Sequence, residues 1–328
     1  MASGTMGEQR AAAPPAGPPP WPAALAAWGV RRLPRARYRA MNWICRRWPL
    51  RPFAAPLPGS ATGLRFECDP RNVIAREVFF AGGYEPQETA LVGHLLRPGW
   101  TFVDVGAHWG YFSLLAAERV GPSGRVVAVE ADPTIFGILE RSIALNAGRL
   151  GHVAAIHEAV AGESGSLPFR VIDERLDNWG TARLAMPGDD AATTVAVRAE
   201  PLDALLDAAG VGAVDLLKMD IEGAEAAALR GMHAGLAAGR YRRILLELHP
   251  PQIREYGSTP EAVMDALRSA GYAGWRLPDS PEAIRRAAYG RNFRPADLLE
   301  PLDPGGPIGT WPHQLWVAPG VPAPTHDA

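Results

Sequence analysis

The chain has 328 residues, a formal net charge of −2, and a composition that is 47% hydrophobic and 21% charged. This balance is typical of a globular protein with one large domain or two small ones. Its two cysteines exclude a disulfide framework and a zinc-finger spacing, which fits a reducing cytoplasm. No apolar run approaches the ~20 residues that a membrane-spanning helix needs, and we expect no secretory signal.

Positive charge is concentrated near the start of the chain. Residues 1–66 contain ten arginines and a single acid, Glu8, whereas the remainder carries more acidic than basic groups. We therefore expect a basic extension over residues 1–60, disordered where alanine, proline and glycine dominate. The globular domain should follow it.

Residues 23–51 combine eight arginines with Trp28, Trp43 and Trp48. One interpretation is peripheral contact with the anionic inner face of a membrane. The other is a short helix that packs on the domain and shows its arginines to water. Pro34 and Pro49 interrupt any long amphipathic helix and favour the second interpretation.

The pattern then changes to alternating strands and helices. Residues 63–86 predict two short strands and a turn, and residues 85–96 an apolar-periodic helix. Helical periodicity returns at 132–147 and at 258–271, each with capping residues at its start. The buried-strand candidates are 101–106, 124–131, 153–160, 213–220 and 242–249.

This alternation predicts an α/β fold, with a mostly parallel sheet covered by helices on both faces. Residues 273–277 and 313–319 fit an antiparallel edge. We place the domain at residues 61–320 and a C-terminal tail at 321–328. No internal repeat divides the domain.

The first motif is a nucleotide-binding turn. An apolar strand ends in Asp104, and Gly106 and Gly110 frame the turn into a helix, so that the helix N-terminus lies beside a ligand. NAD needs a different glycine spacing, which lets the backbone cradle a pyrophosphate. Here His108 and Trp109 occupy the place of the phosphates. S-adenosylmethionine carries no phosphate and fits the turn better.

The candidate cofactor contacts follow the first three strands. Glu130, at the end of the second strand, is placed to accept the ribose hydroxyls. Asp104 faces the positive methionine end, which Tyr84 and Glu85 could also reach. The remaining candidates, around the turn and the adenine, are Gly106, His108, Gly110, Ala131, Glu158 and Ala159.

A second polar cluster follows the fourth and fifth strands. Period-two geometry places Lys218 with Asp220, and Glu247 with His249, at the carboxyl edge where open α/β sheets bind ligands. Lys218, the only lysine in the chain, is either a general base whose pKa is lowered by burial, or an ion-pair partner of a nearby acid.

The same cluster offers a metal-ligand set. Asp220, Glu247 and His249 suit Mg²⁺ or Mn²⁺ better than structural zinc. We favour roles in orienting substrate or closing the sheet edge, and expect no metal. The loop residues Asn178 and Trp179, together with Glu222, are candidates for contact with the acceptor substrate.

Several of these segments resemble the FkbM family of S-adenosylmethionine-dependent methyltransferases. The similarity covers residues ~65–275, and the segment from Lys218 to Glu225 is its most specific part. His108 and Trp109 stand where many members have Asn and a small aliphatic residue, which implies a bulkier wall beside the substrate. The matching segments are "AGGYEPQET", "FVDVGAHWGYFS", "VVAVEADP", "DNWGTARL", "LLKMDIEGAE" and "LLELHP".

The resemblance implies a Rossmann-like class I methyltransferase sheet of seven strands, mostly parallel with an antiparallel edge strand. It also implies O-methylation of a hydroxyl on a sugar, glycan or polyketide-like metabolite. The alternatives are an NAD-linked oxidoreductase and a non-catalytic, membrane-associated binding module. We expect no nucleic-acid partner, because the basic segment is too interrupted by prolines to follow a duplex groove.

Overall fold

The five apolar runs that follow the basic extension become the centre of one large sheet. The computed structural model describes residues 17–33, 36–48, 50–172, 179–278, 280–289, 299–303, 306, 308, 309 and 312–323. The strands are β1 Phe53–Pro56, β2 Arg65–Cys68, β3 Thr101–Val105, β4 Arg125–Val129, β5 His152–Ile156, β6 Ala159–Val160, β7 Gly165–Arg170, β8 Arg183–Leu184, β9 Thr194–Glu200, β10 Leu216–Met219, β11 Arg243–Glu247, β12 Ala273–Leu277, β13 Glu300–Pro301 and β14 His313–Val317.

Helices cover the sheet, and a short 3₁₀ turn, Ala191–Thr193, precedes β9. The helices are α1 Trp21–Val30, α2 Arg37–Arg47, α3 Val73–Ala81, α4 Pro86–Leu95, α5 Tyr111–Val120, α6 Pro133–Ala144, α7 Leu202–Ala208, α8 Glu225–Arg230, α9 His233–Ala237, α10 Pro250–Glu255, α11 Pro260–Ser269 and α12 Pro281–Tyr289.

The large sheet has the order β13-β12-β14-β11-β10-β3-β4-β5. Its five central strands, β11 to β5, are parallel, and β14 runs antiparallel between β11 and β12. Apart from β13, this is the predicted class I methyltransferase arrangement. With the two-residue β13, the large sheet has eight strands among the described residues, one more than the seven expected.

Successive strand residues face opposite sides of the sheet and feed two separate cores. Leu216 packs into the core beneath α1 to α6, and Leu217 packs into the core beneath α7 to α11. Lys218 pairs with Asp104 on β3 and with Leu245 on β11. The register therefore brings the carboxyl ends of β3, β10 and β11 together, as predicted.

Two sequence expectations need correction. Residues 73–81 form α3 instead of a second short strand, since the Asn72 side chain accepts hydrogen bonds from the amides of Ile74 and Ala75 and so caps a helix. The strand expected at 153–160 is broken at residues 157–158. Its second half is β6, which pairs with β9 in a smaller four-stranded sheet.

The basic extension is partly built into the domain. Helices α1 and α2 pack against α3, and Ala23, Ala27, Val30 and Met41 are buried in the core. Among the residues that the structure describes, no helix is long and apolar enough to cross a membrane. The predicted substrate residue Asn178 lies outside the described residues.

Candidate active site

A cavity of about 310 Å³ opens at the carboxyl edge of the large sheet. It lies above β3, β4, β10 and β11, and β6 and Trp179 close one side of it. Three predicted site residues do not line it, namely Glu85, Asp104 and Gly110. The predicted residues that line it are Gly106, His108, Glu130, Ala131, Glu158, Ala159, Trp179, Lys218, Asp220, Glu222, Glu247 and His249.

Gly106 is required by a long-range contact. Its φ is +79°, and a Cβ there would lie 1.8 Å from the carbonyl oxygen of Asp220. Gly110 begins α5 with φ +95°, and a Cβ there would lie 2.7 Å from Leu139 Cδ1. Both glycines therefore fit the turn tightly against neighbouring elements, which leaves the turn's upper side to the cavity.

Asp104 anchors the turn from below. Its carboxylate accepts a hydrogen bond of 2.6 Å from the Ser113 hydroxyl at the start of α5. Burial raises the pKa of Asp104, an effect that the nearby Lys218 charge and the Ser113 hydrogen bond oppose. The side chain is 1% exposed and does not line the cavity. Contact with the methionine end, expected from the sequence, therefore stays a proposal.

Glu130 is held rigidly at the end of β4. One carboxylate oxygen accepts from the backbone amide of His108 at 2.8 Å, and the other from that of Asp132 at 2.7 Å. Burial raises the pKa of Glu130 to about 7, although these backbone hydrogen bonds act in the opposite direction. Each carboxylate oxygen keeps acceptor capacity, so the group can bind the paired hydroxyls of a ribose.

The far end of the cavity suits an adenine. Glu158 lines it and carries a buried oxygen, Oε2, that has no hydrogen-bond partner. Its other oxygen lies 3.5 Å from Arg198. An unsatisfied buried acceptor costs about 1–3 kcal/mol, which an amino group on a bound ligand would offset. Ala131 and Ala159 leave room there for a flat ring.

His108 adds a neutral ring to the wall. Both of its ring nitrogens are buried in the cavity wall, and burial lowers the pKa of His108 to about 4. The chain adopts φ +51° at this residue. Trp179 is 1% exposed, and the Arg71 guanidinium lies 5.2 Å from its ring centre. His108 and Trp109, the two bulky residues singled out in the sequence, both line the cavity, and Trp109 is 1% exposed.

Lys218 forms an ion pair in the structure. Its ammonium lies 3.2 Å from a carboxylate oxygen of Asp220 and 4.8 Å from the centre of the Phe112 ring. Burial alone would lower the pKa of Lys218, but the surrounding carboxylates, Asp220 foremost, raise it above its usual value. At Asp220 burial alone would raise the pKa, but the nearby Lys218 charge outweighs burial and lowers the pKa of this carboxyl. The geometry supports a protonated lysine.

His249 is the centre of the acidic cluster. Its Nδ1 donates to the buried carboxylate of Glu225 at 2.7 Å, and that carboxylate also accepts from the Gly223 amide. Burial would lower the pKa of His249, but the hydrogen bond to Glu225 and the nearby acids raise it to about 8. Its Nε2 lies 3.6–3.7 Å from oxygens of the three cavity-lining acids Asp220, Glu222 and Glu247.

Glu225 is a residue that sequence reasoning missed. From the sequence alone, an acid in the first turn of α8 is explained by its favourable interaction with the helix dipole. The structure shows instead that it is 0% exposed and fixes the tautomer and ring orientation of His249. The available signal was its place in the Lys-x-Asp-x-Glu-Gly-x-Glu segment.

A second group of acids extends the cluster towards α4. Burial and the nearby charge of Asp220 raise the pKa of Glu247 well above the usual carboxyl range. His313 on β14 lies 3.7 Å from Glu247 and 3.1 Å from Glu88. Burial also raises the pKa of Glu85, an effect that the nearby Lys218 charge opposes. Glu85 does not line the cavity.

The cluster has the donor set of a divalent-cation site. Asp220, Glu247 and His249 offer ligand atoms that all lie within 4.8 Å of one another. The Lys218 ammonium, however, already lies beside Asp220. Because that positive charge compensates one of the acids, the arrangement does not demand a metal.

Comparison with known proteins agrees with this geometry. The profile of the methyltransferase FkbM domain matches residues 104–273, more than half of the chain. The chain is 29% identical over 209 residues to the AMB antimetabolite synthetase AmbE of Pseudomonas aeruginosa, a match that covers 55% of this chain and 10% of AmbE. It is 28% identical over 155 residues to methyltransferase sdnD of Sordaria araneosa, covering 40% of this chain and 59% of sdnD.

The chain thus spans less than two thirds of these relatives' length. Among solved structures, it is similar to Aeropyrum pernix fibrillarin with bound S-adenosylmethionine. That likeness has a TM-score of 0.36 and 13% identity, and it covers 70% of this chain and 73% of fibrillarin.

The family match identifies a methyltransferase, and the strand order, the glycine turn and the cavity fit a class I enzyme whose cofactor is S-adenosylmethionine. The chain belongs to the FkbM family of methyltransferases. The family assignment decides against the NAD-linked oxidoreductase, as the glycine spacing of the turn had indicated. The donors and acceptors around the cavity fit the cofactor, with Glu130 suited to its ribose and Glu158 to its adenine.

Proposed function

We propose that this methyltransferase acts on a hydroxyl oxygen of a small molecule or glycan, such as a sugar or a polyketide-like metabolite. The proposal depends on one observation. A histidine that lines the cavity, His249, is oriented through Nδ1 by the buried Glu225, and its Nε2 faces the acids of the cavity wall. This is the arrangement of a general base.

An alcohol is a weak nucleophile, so its proton must leave as the new bond forms. The cofactor supplies a methyl group that is already activated by a sulfonium. In the proposed step the hydroxyl proton passes to Nε2 of His249, the oxygen–carbon bond forms, and the sulfur–carbon bond breaks. Glu225 stabilises the imidazolium that results, and Lys218 remains protonated beside Asp220.

The wall chemistry supports a polyhydroxylated acceptor. The carboxyl groups of Asp220, Glu222 and Glu247 can each accept hydrogen bonds from hydroxyl groups. The rings of Phe112 and Trp179 lie on the same cavity and offer apolar faces of the kind that pack against sugars. We include Glu222 and Trp179 as acceptor contacts on this ground.

We assign the cofactor contacts on the same basis. Glu130 binds the ribose hydroxyls, Glu158 and the alanines Ala131 and Ala159 border the adenine, and Gly106 allows the backbone to approach. Each of these residues lines the cavity, as His249 does. In this assignment the cofactor lies beside the ends of β3, β4 and β6, and the acceptor lies beside the ends of β10 and β11.

The reaction class is tested with S-adenosylmethionine labelled with ¹³C in the methyl group. The purified chain is incubated with small-molecule and glycan fractions from its host, and products are examined by NMR. The chemical shift of the transferred carbon distinguishes O-methyl from N-, S- and C-methyl groups. O-methyl products that disappear with His249→Gln are expected, and a methyl group on nitrogen or carbon would refute the proposal.

A further inference from the structure

Helix α1 packs on the domain with its small side chains and leaves its large ones exposed. The buried face is Ala23, Ala27 and Val30, and the exposed face is Trp21, Leu25 and Trp28. Both sets follow the i, i+4, i+7 spacing of a helix face. Trp21 is 77% exposed and Trp28 57%. Burial on the domain would favour the opposite orientation, so the exposed face needs a separate explanation.

Helix α2 repeats this arrangement with arginines. Met41 is buried, whereas Trp43 is 69% exposed and the neighbouring Arg39, Arg46 and Arg47 are exposed as well. Positions 39, 43, 46 and 47 lie on one helix face. The exposed face of α2 is therefore aromatic and basic together.

The two faces form one surface, which we call the N-terminal platform (the exposed side chains of α1 and α2). Both helices pack against α3 and against each other, so their outer faces point away from α3. Of the nine large exposed apolar side chains in the described part of the chain, seven lie between Trp21 and Trp48.

The charge of the platform is of one sign. No aspartate or glutamate occurs between Gln9 and Phe66. From the neighbouring α3, Glu77 accepts a hydrogen bond from Tyr38 at 2.8 Å. The Arg32 guanidinium lies 3.6 Å from the centre of the Trp28 ring, which brings a cation and an aromatic ring to the same point. The rest of the chain carries an excess of acid, so a negative surface would attract the platform selectively.

We propose that the N-terminal platform docks on the surface of an anionic lipid bilayer. Tryptophan side chains favour the headgroup level of a membrane, where the ring is buried and its N–H stays hydrated. Arginines placed beside them bind the anionic headgroups. Charge complementarity and exposed aromatic area thus select the same partner.

The platform also borders a groove whose lining meets that of the active-site cavity. A groove of about 630 Å³ runs beneath it and includes Arg31, Arg37 and Tyr38 in its wall. The groove shares Tyr84 and Phe112 with the cofactor cavity. Docking would hold the mouth of this groove next to the bilayer.

The test is a vesicle flotation assay with the full chain. Vesicles contain phosphatidylcholine alone or phosphatidylcholine with phosphatidylserine, and tryptophan fluorescence is read in parallel. The chain is expected to bind the vesicles that contain phosphatidylserine and not those of phosphatidylcholine alone. This binding should weaken as the salt concentration rises. Removing one arginine should lower partitioning about fivefold, so Arg46→Gln/Arg47→Gln should lower it about 25-fold.

A matched control, Arg230→Gln/Arg254→Gln, removes two exposed arginines elsewhere and should leave vesicle binding unchanged. Trp43→Ser should reduce binding and the fluorescence shift while the unfolding temperature stays near that of the parent chain. Three results would overturn the proposal. They are equal loss of binding in the control, absence of binding to anionic vesicles, and sedimentation as a dimer that Trp43→Ser dissociates.

Discussion

Replacing Glu225 by glutamine tests how the base is prepared. In the parent chain, His249 Nδ1 lies 2.7 Å from a carboxylate oxygen of Glu225. The substitution keeps the shape of the side chain and an oxygen that can accept this hydrogen bond, but it removes the buried negative charge. A hydrogen bond to a charged group contributes about 1.5–3 kcal/mol, compared with about 1 kcal/mol for a neutral pair. One pKa unit corresponds to about 1.4 kcal/mol, so the pKa of His249 should fall by roughly one unit from about 8.

The assay is a pH titration of ¹⁵N-labelled histidine by NMR, with His249 assigned from its absence in His249→Gln. Neutral His249 is the active form, so methyl transfer rises as pH increases through about 8. In Glu225→Gln that rise should shift to lower pH, with a lower plateau because the imidazolium is less stabilised.

Glu222→Gln is the matched control. Its carboxylate lies 3.7 Å from Nε2 and is partly exposed, so its removal should shift the pKa of His249 by less than Glu225→Gln does. An unchanged His249 pKa in Glu225→Gln, or an equal shift in the two variants, would refute the reasoning.

Three further predictions concern the same edge of the sheet. Gly106→Ala should cost more than about 3 kcal/mol of stability, seen as a lower midpoint in urea, because its Cβ would meet the Asp220 carbonyl at φ +79°. A midpoint like that of the parent would contradict the contact. Lys218→Met leaves the half-buried Asp220 carboxylate without its cation and should destabilise the fold by about 1–3 kcal/mol, whereas Lys218→Arg should be milder. Methyl transfer should persist in EDTA. Activity that is lost in EDTA and restored by added Mg²⁺ would instead establish a metal at Asp220, Glu247 and His249.

The sheet was predictable because buried parallel strands appear in a sequence as continuous apolar runs. Strands β3, β4, β10 and β11 lie where those runs predict them. The meeting of Lys218, Asp220, Glu247 and His249 followed from period-two geometry once β10 and β11 were taken as neighbours, and the structure pairs these two strands.

Local composition misled the prediction at α3. The Val-, Ile- and Phe-rich segment 73–81 resembles a strand, but Asn72 caps a helix start and Gly82 ends it in the left-handed conformation. These caps were present in the sequence, and they outweighed side-chain propensity.

Contacts across the fold could not be predicted from spacing. The link from Glu225 to His249 joins residues on different elements, and the need for glycine at 106 comes from the Asp220 carbonyl. The role of Asp104 shows the same limit, since its carboxylate is engaged by Ser113.

The central claim is that the cavity binds S-adenosylmethionine through Glu130. Calorimetric titration of the purified chain with S-adenosylmethionine, and with NAD in a parallel cell, tests it most directly. Glu130→Ala should weaken binding by tens of fold, since it removes hydrogen bonds of about 2–3 kcal/mol to a charged group. Glu140→Ala, an exposed acid on α6, is the control and should bind as the parent does. Absence of S-adenosylmethionine binding, or tighter binding of NAD, would contradict the account.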